Sequence, residues 1–249
     1  MTTTSQGLYL YGILPTPPNT EFDVQGLDKE PVHSHQVDNF VFLYSSAKKN
    51  KYLASRRNLL GHERVLETAM HEGYRNLLPL QFGLVINDWD RVQQQLIAPY
   101  GENLVQLFDK LNGRREVSIK MLWDSKSELE LLMQENDGLR AERDRLEGRQ
   151  LSMEEVVSIG QQIEQAMSDR KDTIVRTFQN ELNPLAIEIA ENDPLQEAMI
   201  YNTAYLIPWD LEPKFSEKVE ALDQQFDGRL RIRYNNFTAP FNFAQIERN

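Results

Sequence analysis

DSKSELELLMQENDGLRAERDRLEGRQLSMEEVVSIGQQIEQAMSDRKDTIVRTFQNEL, residues 124–182, is the stretch on which the architecture turns. It is polar, densely charged and free of aromatic residues between Trp123 and Phe178, although the chain carries 3 Trp, 9 Tyr and 11 Phe. Apolar residues recur seven apart at Leu132, Leu139, Leu146 and Met153, and again at Met167 and Ile174. That is the spacing of a narrow helical seam rather than a broad core face. Two helix-start signals stand inside it, Ser125 with Glu128 and Ser152 with Glu155. In each, the hydroxyl and the carboxylate three residues on can satisfy free N–H groups of a first turn. The pattern predicts two helices, 125–147 and 152–182, folded back on each other across 148–151 and roughly 35 and 45 Å long at the usual rise per residue. A small domain cannot wrap a limb of that length, so folded units are expected on both sides of it.

Before the limb, Val117, Ile119, Met121 and Trp123 alternate with Ser118, Lys120 and Leu122 as in a half-buried strand. After it, Asn183-Pro184 breaks the helix, since proline lacks an N–H and restricts the residue before it. A short strand over 185–190, a turn at Asn192-Asp193-Pro194 and a strand over 199–207 follow. A helix over 210–226 carries Phe215, Val219, Leu222 and Phe226 on one face, and a last strand alternates Leu230, Ile232 and Tyr234. The order βαββαβ is that of a ferredoxin-like sandwich whose first helix has grown into the limb, with Gly138, Gly148 and Gly160 limiting its stiffness.

Residues 1–111 read as another α+β unit. A strand over 8–14 is apolar on both faces and stops at Pro15, Pro17 and Pro18. Strands over 32–37 and 40–45 meet at the Asp38-Asn39 turn, a hairpin signal. Residues 48–57 are basic and loop-like. A helix over 59–72 ends before Gly73. Residues 77–86, Leu-Leu-Pro-Leu-Gln-Phe-Gly-Leu-Val-Ile, form the most apolar stretch and read as one edge-like strand, with Pro79 at the edge and Gly83 at a bulge. Asp88 caps a helix, Pro99-Tyr100-Gly101 reads as a break, and Leu104, Leu107, Phe108 and Leu111 give the stripe of a surface helix. The predicted fold class is therefore α+β: two small ferredoxin-like domains, 1–111 and 112–249, the second carrying a long helical-hairpin or coiled-coil arm at about 125–182.

The chain has 27 Lys and Arg against 38 Asp and Glu, a net charge of −11 over 249 residues. That field argues against nucleic acid as a partner and suits a protein kept soluble beside an apolar one. Without cysteine, disulfides, thiolate chemistry and Cys-ligated metal sites are excluded. The opening MTTTSQGLYLYGIL lacks the features of a secretory signal, and no apolar run reaches membrane-spanning length, so a cytosolic protein with no membrane partner is expected.

Chemistry-bearing residues are sparse. His33 and His35 lie two apart on one strand face, but no third ligand is evident, so no metal is expected. His62 falls on the apolar side of its helix and reads as a half-buried structural histidine, not a catalytic base. Arg229, Arg231 and Arg233 share one face of the last strand. They give an RNA-binding ferredoxin-like module as the alternative reading, weakened by the absence of the aromatic pattern such sheets use. A face paired with acidic groups is the better account. No phosphate loop, nucleophile elbow or dinucleotide fingerprint is present, so no catalytic residue and no cofactor are assigned.

Several segments taken in order resemble the gas vesicle protein family GvpF/GvpL, closer to GvpF. They are Leu10-Tyr11-Gly12-Ile13, His62 with Val65-Leu66, Leu78-Pro79-Leu80-Gln81-Phe82-Gly83, and Leu111-Asn112-Gly113 with Glu116-Val117-Ser118-Ile119-Lys120 and Trp123-Asp124. Ala204-Tyr205-Leu206-Ile207 and the closing Thr238-Ala239-Pro240-Phe241-Asn242-Phe243 complete the set, with Ala239 where the family carries glycine. The resemblance implies a non-enzymatic accessory or minor structural protein that supports gas vesicle assembly. Its implied partners are the hydrophobic shell protein GvpA and other Gvp accessory proteins, and its implied location is the gas vesicle in the cytoplasm. For the shell contact the apolar stretch is expected to supply Leu77, Leu80, Phe82, Leu84 and Ile86, by strand addition or face packing.

Overall fold

Alternating apolar and aromatic residues make β1 (Gly7–Leu14) the strand from which the first sheet is assembled. A computed structural model describes residues 7–17, 22–146, 148, 150 and 152–245. β1 runs antiparallel to β3 (Phe40–Ala47) on one side and to two short strands, β4 (Leu78–Pro79) and β5 (Val85–Ile86), on the other. β2 (His33–Val37) pairs with β3 through the predicted hairpin, whose Asp38 adopts a φ of 52°. The order is β2-β3-β1-β4.

A bulge between Leu10 and Gly12 shifts the β1–β3 register. The inserted residue is Tyr11, and the slip puts both Tyr9 and Tyr11 into one cluster with Leu14, Val41 and Leu43. α1 (Arg56–His71), capped by Ser55 Oγ accepting from the Asn58 N–H, covers that face with Val65, Leu66, Ala69 and Met70. Its approach is close: a Cβ on Gly12 would stand 2.9 Å from a Leu66 methyl. The opposite face carries Phe42 beside Trp89 and Phe40 stacked on Phe108.

Trp89 opens α2 (Trp89–Val92), where Asp88 caps as expected. The break expected at Pro99 does not occur. A π-helical turn, Gln93–Ile97, carries the chain into α3 (Ala98–Leu111), with Pro99 as its second residue. The single strand expected over 77–86 is also corrected. β4 and β5 are two residues each, and residues 80–84 loop out between them, because Pro79 cannot donate to a ladder and Gly83 turns the chain at a φ of 91°.

This unit holds the described residues up to Val117, Leu206–Asp210 and those from Asn236 on. Ala239 belongs to its core, Phe237 stacks on His71 at 4.0 Å, and buried Glu116 accepts from the backbone and side-chain N–H groups of Asn242 at 2.9 and 2.6 Å. The closing motif thus folds with the start of the chain.

The second unit comprises Ser118–Tyr205 and Leu211–Asn235. Its sheet, β6 (Arg114–Trp123), β7 (Glu188–Glu191), β8 (Met199–Pro208) and β9 (Leu230–Thr238), has the order β7-β8-β6-β9. Both sheets therefore run second-third-first-fourth, the order of a ferredoxin-like sandwich. In the second unit the place of the second helix is taken by α7, Glu212–Gln225. The place of the first is taken by the limb: α4 (Ser125–Glu135), α5 (Asp137–Leu146) and α6 (Met153–Leu182). In the first unit the described residues of that place form a loop with a turn at Leu27–Lys29.

The first helix of the limb is broken where continuity was expected. Asn136 ends α4 in an extended conformation, and its Oδ1 accepts from the Leu139 N–H to start α5. Asp124, not Ser125, caps α4 through the Ser127 N–H at 2.7 Å. Ser152 and Glu155 form the expected reciprocal cap of α6. The turn expected at 148–151 lies largely outside the described residues, as does the Leu146 side chain. Of the seam, Leu132, Leu139 and Ile174 are buried, whereas Met153 is 78% exposed.

Glu128 has left the expected cap for the interior, where it accepts from Arg170 Nε at 2.6 Å and from both Arg229 Nε and an Arg229 terminal nitrogen at 3.0 and 2.9 Å. Burial alone would raise its pKa, but the hydrogen bonds from Arg229 and Arg170 outweigh that and hold it below the usual carboxylate value.

Candidate functional site

The apolar loop of residues 80–84 is pinned from beneath by groups that β1 and α1 bring together. The Leu80 N–H donates to the Tyr11 carbonyl at 2.9 Å and the Leu10 N–H to the Leu84 carbonyl at 3.0 Å, tying each end to β1. Between them, the Gly83 N–H donates to the Tyr9 hydroxyl at 3.0 Å, and that hydroxyl donates to His62 Nδ1 at 3.0 Å. His62 Nε2–H donates to the Leu80 carbonyl at 3.1 Å. The chain of bonds is complete: one tautomer of a neutral His62 satisfies every partner. Burial pushes the imidazole down to about 4, against the opposing pull of the Leu80 carbonyl, and burial likewise raises the Tyr9 phenol. The histidine was expected to be half-buried; it is fully enclosed and bonded at both nitrogens.

On this floor the residues of the expected contact divide. Leu77 and Ile86 are buried and belong to the core, so they are not on the surface. Leu80, Phe82 and Leu84 are half-buried on the loop, with Phe82 edge-on to the rings of Tyr9 at 6.2 Å and His62 at 5.9 Å. Sequence patterning flagged the apolar stretch but missed Tyr9 and Tyr11, which read only as apolar strand residues.

The remaining singled-out residues are spread elsewhere. His35 stacks on Trp89 at 4.0 Å and His33 faces Tyr44. Among the described residues no group of three His, Cys, Asp or Glu side chains is placed to hold a metal ion. Arg229 is committed to Glu128, while Arg231 and Arg233 are exposed. An RNA-binding role for this stripe is not supported. Among the described residues no helix is long and apolar enough to cross a membrane.

Two sheets of one strand order, the first reduced in its first helix and the second extended there into a limb, define a two-unit α+β protein class. A family profile described as "Gas vesicle synthesis protein GvpL/GvpF" matches residues 7–245, and the chain belongs to that family. It is 57% identical to gas vesicle protein F of Dolichospermum flosaquae over 240 residues, 96% of this chain and 98% of the relative. The crystal structure of the gas vesicle protein GvpF from Anabaena sp. PCC7120 superposes with a TM-score of 0.85 at 55% identity, covering 97% of each chain. That of GvpF from Microcystis aeruginosa gives 0.84 at 56% identity, covering 97% of this chain and all of the other. The chain thus lies on the GvpF side of the family, and its role is in the gas vesicle system.

Proposed function

We propose that the protein is a non-enzymatic accessory of gas vesicle assembly that acts in the cytoplasm by binding the hydrophobic shell protein GvpA, with other Gvp accessory proteins as further partners. The observation that carries this reading is the pinned apolar loop. Leu80, Phe82 and Leu84 stay partly exposed on a backbone that cannot collapse inward, because its carbonyl and N–H groups are held by Tyr9, Tyr11 and His62. A preordered apolar surface loses little conformational entropy when an apolar partner covers it.

Face packing suits the loop better than strand addition. β4 and β5 offer two residues each, and Pro79 has no N–H to donate. By covering an apolar face of a shell subunit, the protein would keep that subunit from aggregating until it joins the wall. The test is capture of co-expressed GvpA by the full-length chain. Leu80→Asp with Leu84→Asp should lose the shell protein while the thermal midpoint of the free chain stays close to the parent's. Undiminished capture by that folded variant would overturn the assignment.

A further inference from the structure

Among the described residues, the place of the first helix in the first sheet holds a loop, and a cleft of about 580 Å³ lies between that loop and the start of α1. Its floor is closely packed: Leu27 is buried, and a Cβ on Gly61 would meet a Leu27 methyl at 3.0 Å. The rim is cationic. Lys29, Lys49, Arg57 and Arg64 line the cleft, and the five cations Lys48, Lys49, Lys51, Arg56 and Arg57 occur in a run, residues 39–62, that contains no carboxylate. In a chain of net charge −11 this is a local reversal of sign.

Glu30 is held by Lys48 at 2.6 Å; Asp28, which also lines the cleft, has Oδ1 3.6 Å from Lys49 and its buried Oδ2 without a hydrogen-bond partner. Lys29 and Arg57 are exposed and have no carboxylate partner among the described residues. The loop holds its shape at a cost. Asp28 and Lys29 are consecutive residues with φ of 53° and 61°, a left-handed conformation that non-glycine residues seldom adopt.

That shape is imposed from several directions. The Leu27 N–H donates to the Tyr11 hydroxyl at 2.8 Å, the Gly26 N–H to the Glu30 carbonyl at 2.8 Å, and an Arg64 guanidinium nitrogen to the Gln25 carbonyl at 3.0 Å. A backbone held in this conformation, beside Lys29 and Arg57 with no carboxylate partner among the described residues, is preordered for a ligand.

We infer that this cleft docks a short acidic segment of a protein partner, its carboxylates meeting Lys29 and Arg57 and an apolar side chain lying against Leu60, which is 54% exposed on the same rim. Charge complementarity selects the partner. Single-stranded nucleic acid fits less well, because no aromatic ring lines the cleft to stack a base and the field of the whole chain repels a long polyanion. The surface is separate from the apolar loop, and this assignment does not depend on the shell-protein reading.

The experiment is fluorescence anisotropy on the full-length protein with a labelled peptide built from Glu-Glu-Leu repeats, and with a labelled single-stranded RNA of similar charge. The peptide should bind the parent chain. Lys29→Glu with Arg57→Glu should weaken it about tenfold, whereas Arg231→Glu with Arg233→Glu, an equal change in net charge elsewhere, should leave it unchanged. Equal weakening by both pairs, absence of binding to the parent, or tighter binding of the RNA through Lys29 and Arg57 would each overturn the assignment.

Discussion

The Tyr9 hydroxyl donates to His62 Nδ1 at 3.0 Å while accepting from the Gly83 N–H at the same distance. A residue of β1 and a residue of α1 thereby hold a surface loop that neither of them covers. Tyr9→Phe removes both bonds and strands the Gly83 N–H. The variant should lose about 1–3 kcal/mol of unfolding free energy, measured by denaturant titration. A loss below the error of the titration would mean that the loop is not held this way.

His62 sets an acid limit. Its folded value of about 4 lies below the ordinary 6.5, so its contribution is present above pH 6.5 and is lost as pH falls toward 4. The difference in unfolding free energy between the parent and His62→Gln should shrink over that window by about 3 kcal/mol. A pH-independent difference would contradict a neutral, buried imidazole.

Glu116 works in the opposite direction. Burial raises it from 4.5 to about 7, against the lowering effect of the Asn242 hydrogen bonds. A raised folded value favours the native state below pH 4.5, and that advantage is lost as pH rises through about 7. Glu116→Gln does not titrate, so its stability relative to the parent should improve with pH across this window. The check is paired denaturant titrations at several pH values. A flat difference would show that the carboxylate at Asn242 is ionised throughout.

Glu128 joins α4 to α6 and to the start of β9 through Arg170 and Arg229. Glu128→Ala leaves Arg229 facing an empty site, while Arg170 keeps its bond to Glu135 at 2.6 Å. Arg229 remains partly hydrated, so the cost should be about 1–3 kcal/mol, short of that for a fully buried pair. Glu128→Gln, which keeps the size, should recover part of it. Equal stability of parent and alanine variant, by thermal unfolding, would reduce the cluster to surface decoration.

Much of the architecture could be read from periodicity and punctuation. The alternation of Val117, Ile119 and Met121, the Ser152–Glu155 cap, the Asp38 turn and the Pro184 stop all act locally, and local rules found them. What escaped depended on contacts distant in sequence. Glu128 looked like a capping carboxylate because its partners Arg170 and Arg229 lie 42 and 101 residues away. The stretch 77–86 looked like one strand because its apolar content hid a loop held by Tyr9 and His62. Pro99 looked like a break because a π-helical turn before it gives no sequence signal. The core role of Ala239 and the Glu116–Asn242 pair could not be foreseen from spacing, since the partners are distant in sequence, 126 residues apart for the pair. Of the expected contact residues, burial removes Leu77 and Ile86 from the surface and leaves Leu80, Phe82 and Leu84 on it.

The central claim is that the pinned loop touches the shell protein, and cross-linking tests it most directly. A photoreactive leucine analogue at Leu84 in the full-length chain, irradiated in the presence of GvpA, should yield a covalent adduct to the shell protein. The same kind of photoreactive residue at Arg231, on the exposed strand face, should not. Adducts from position 231 and none from position 84 would contradict the account.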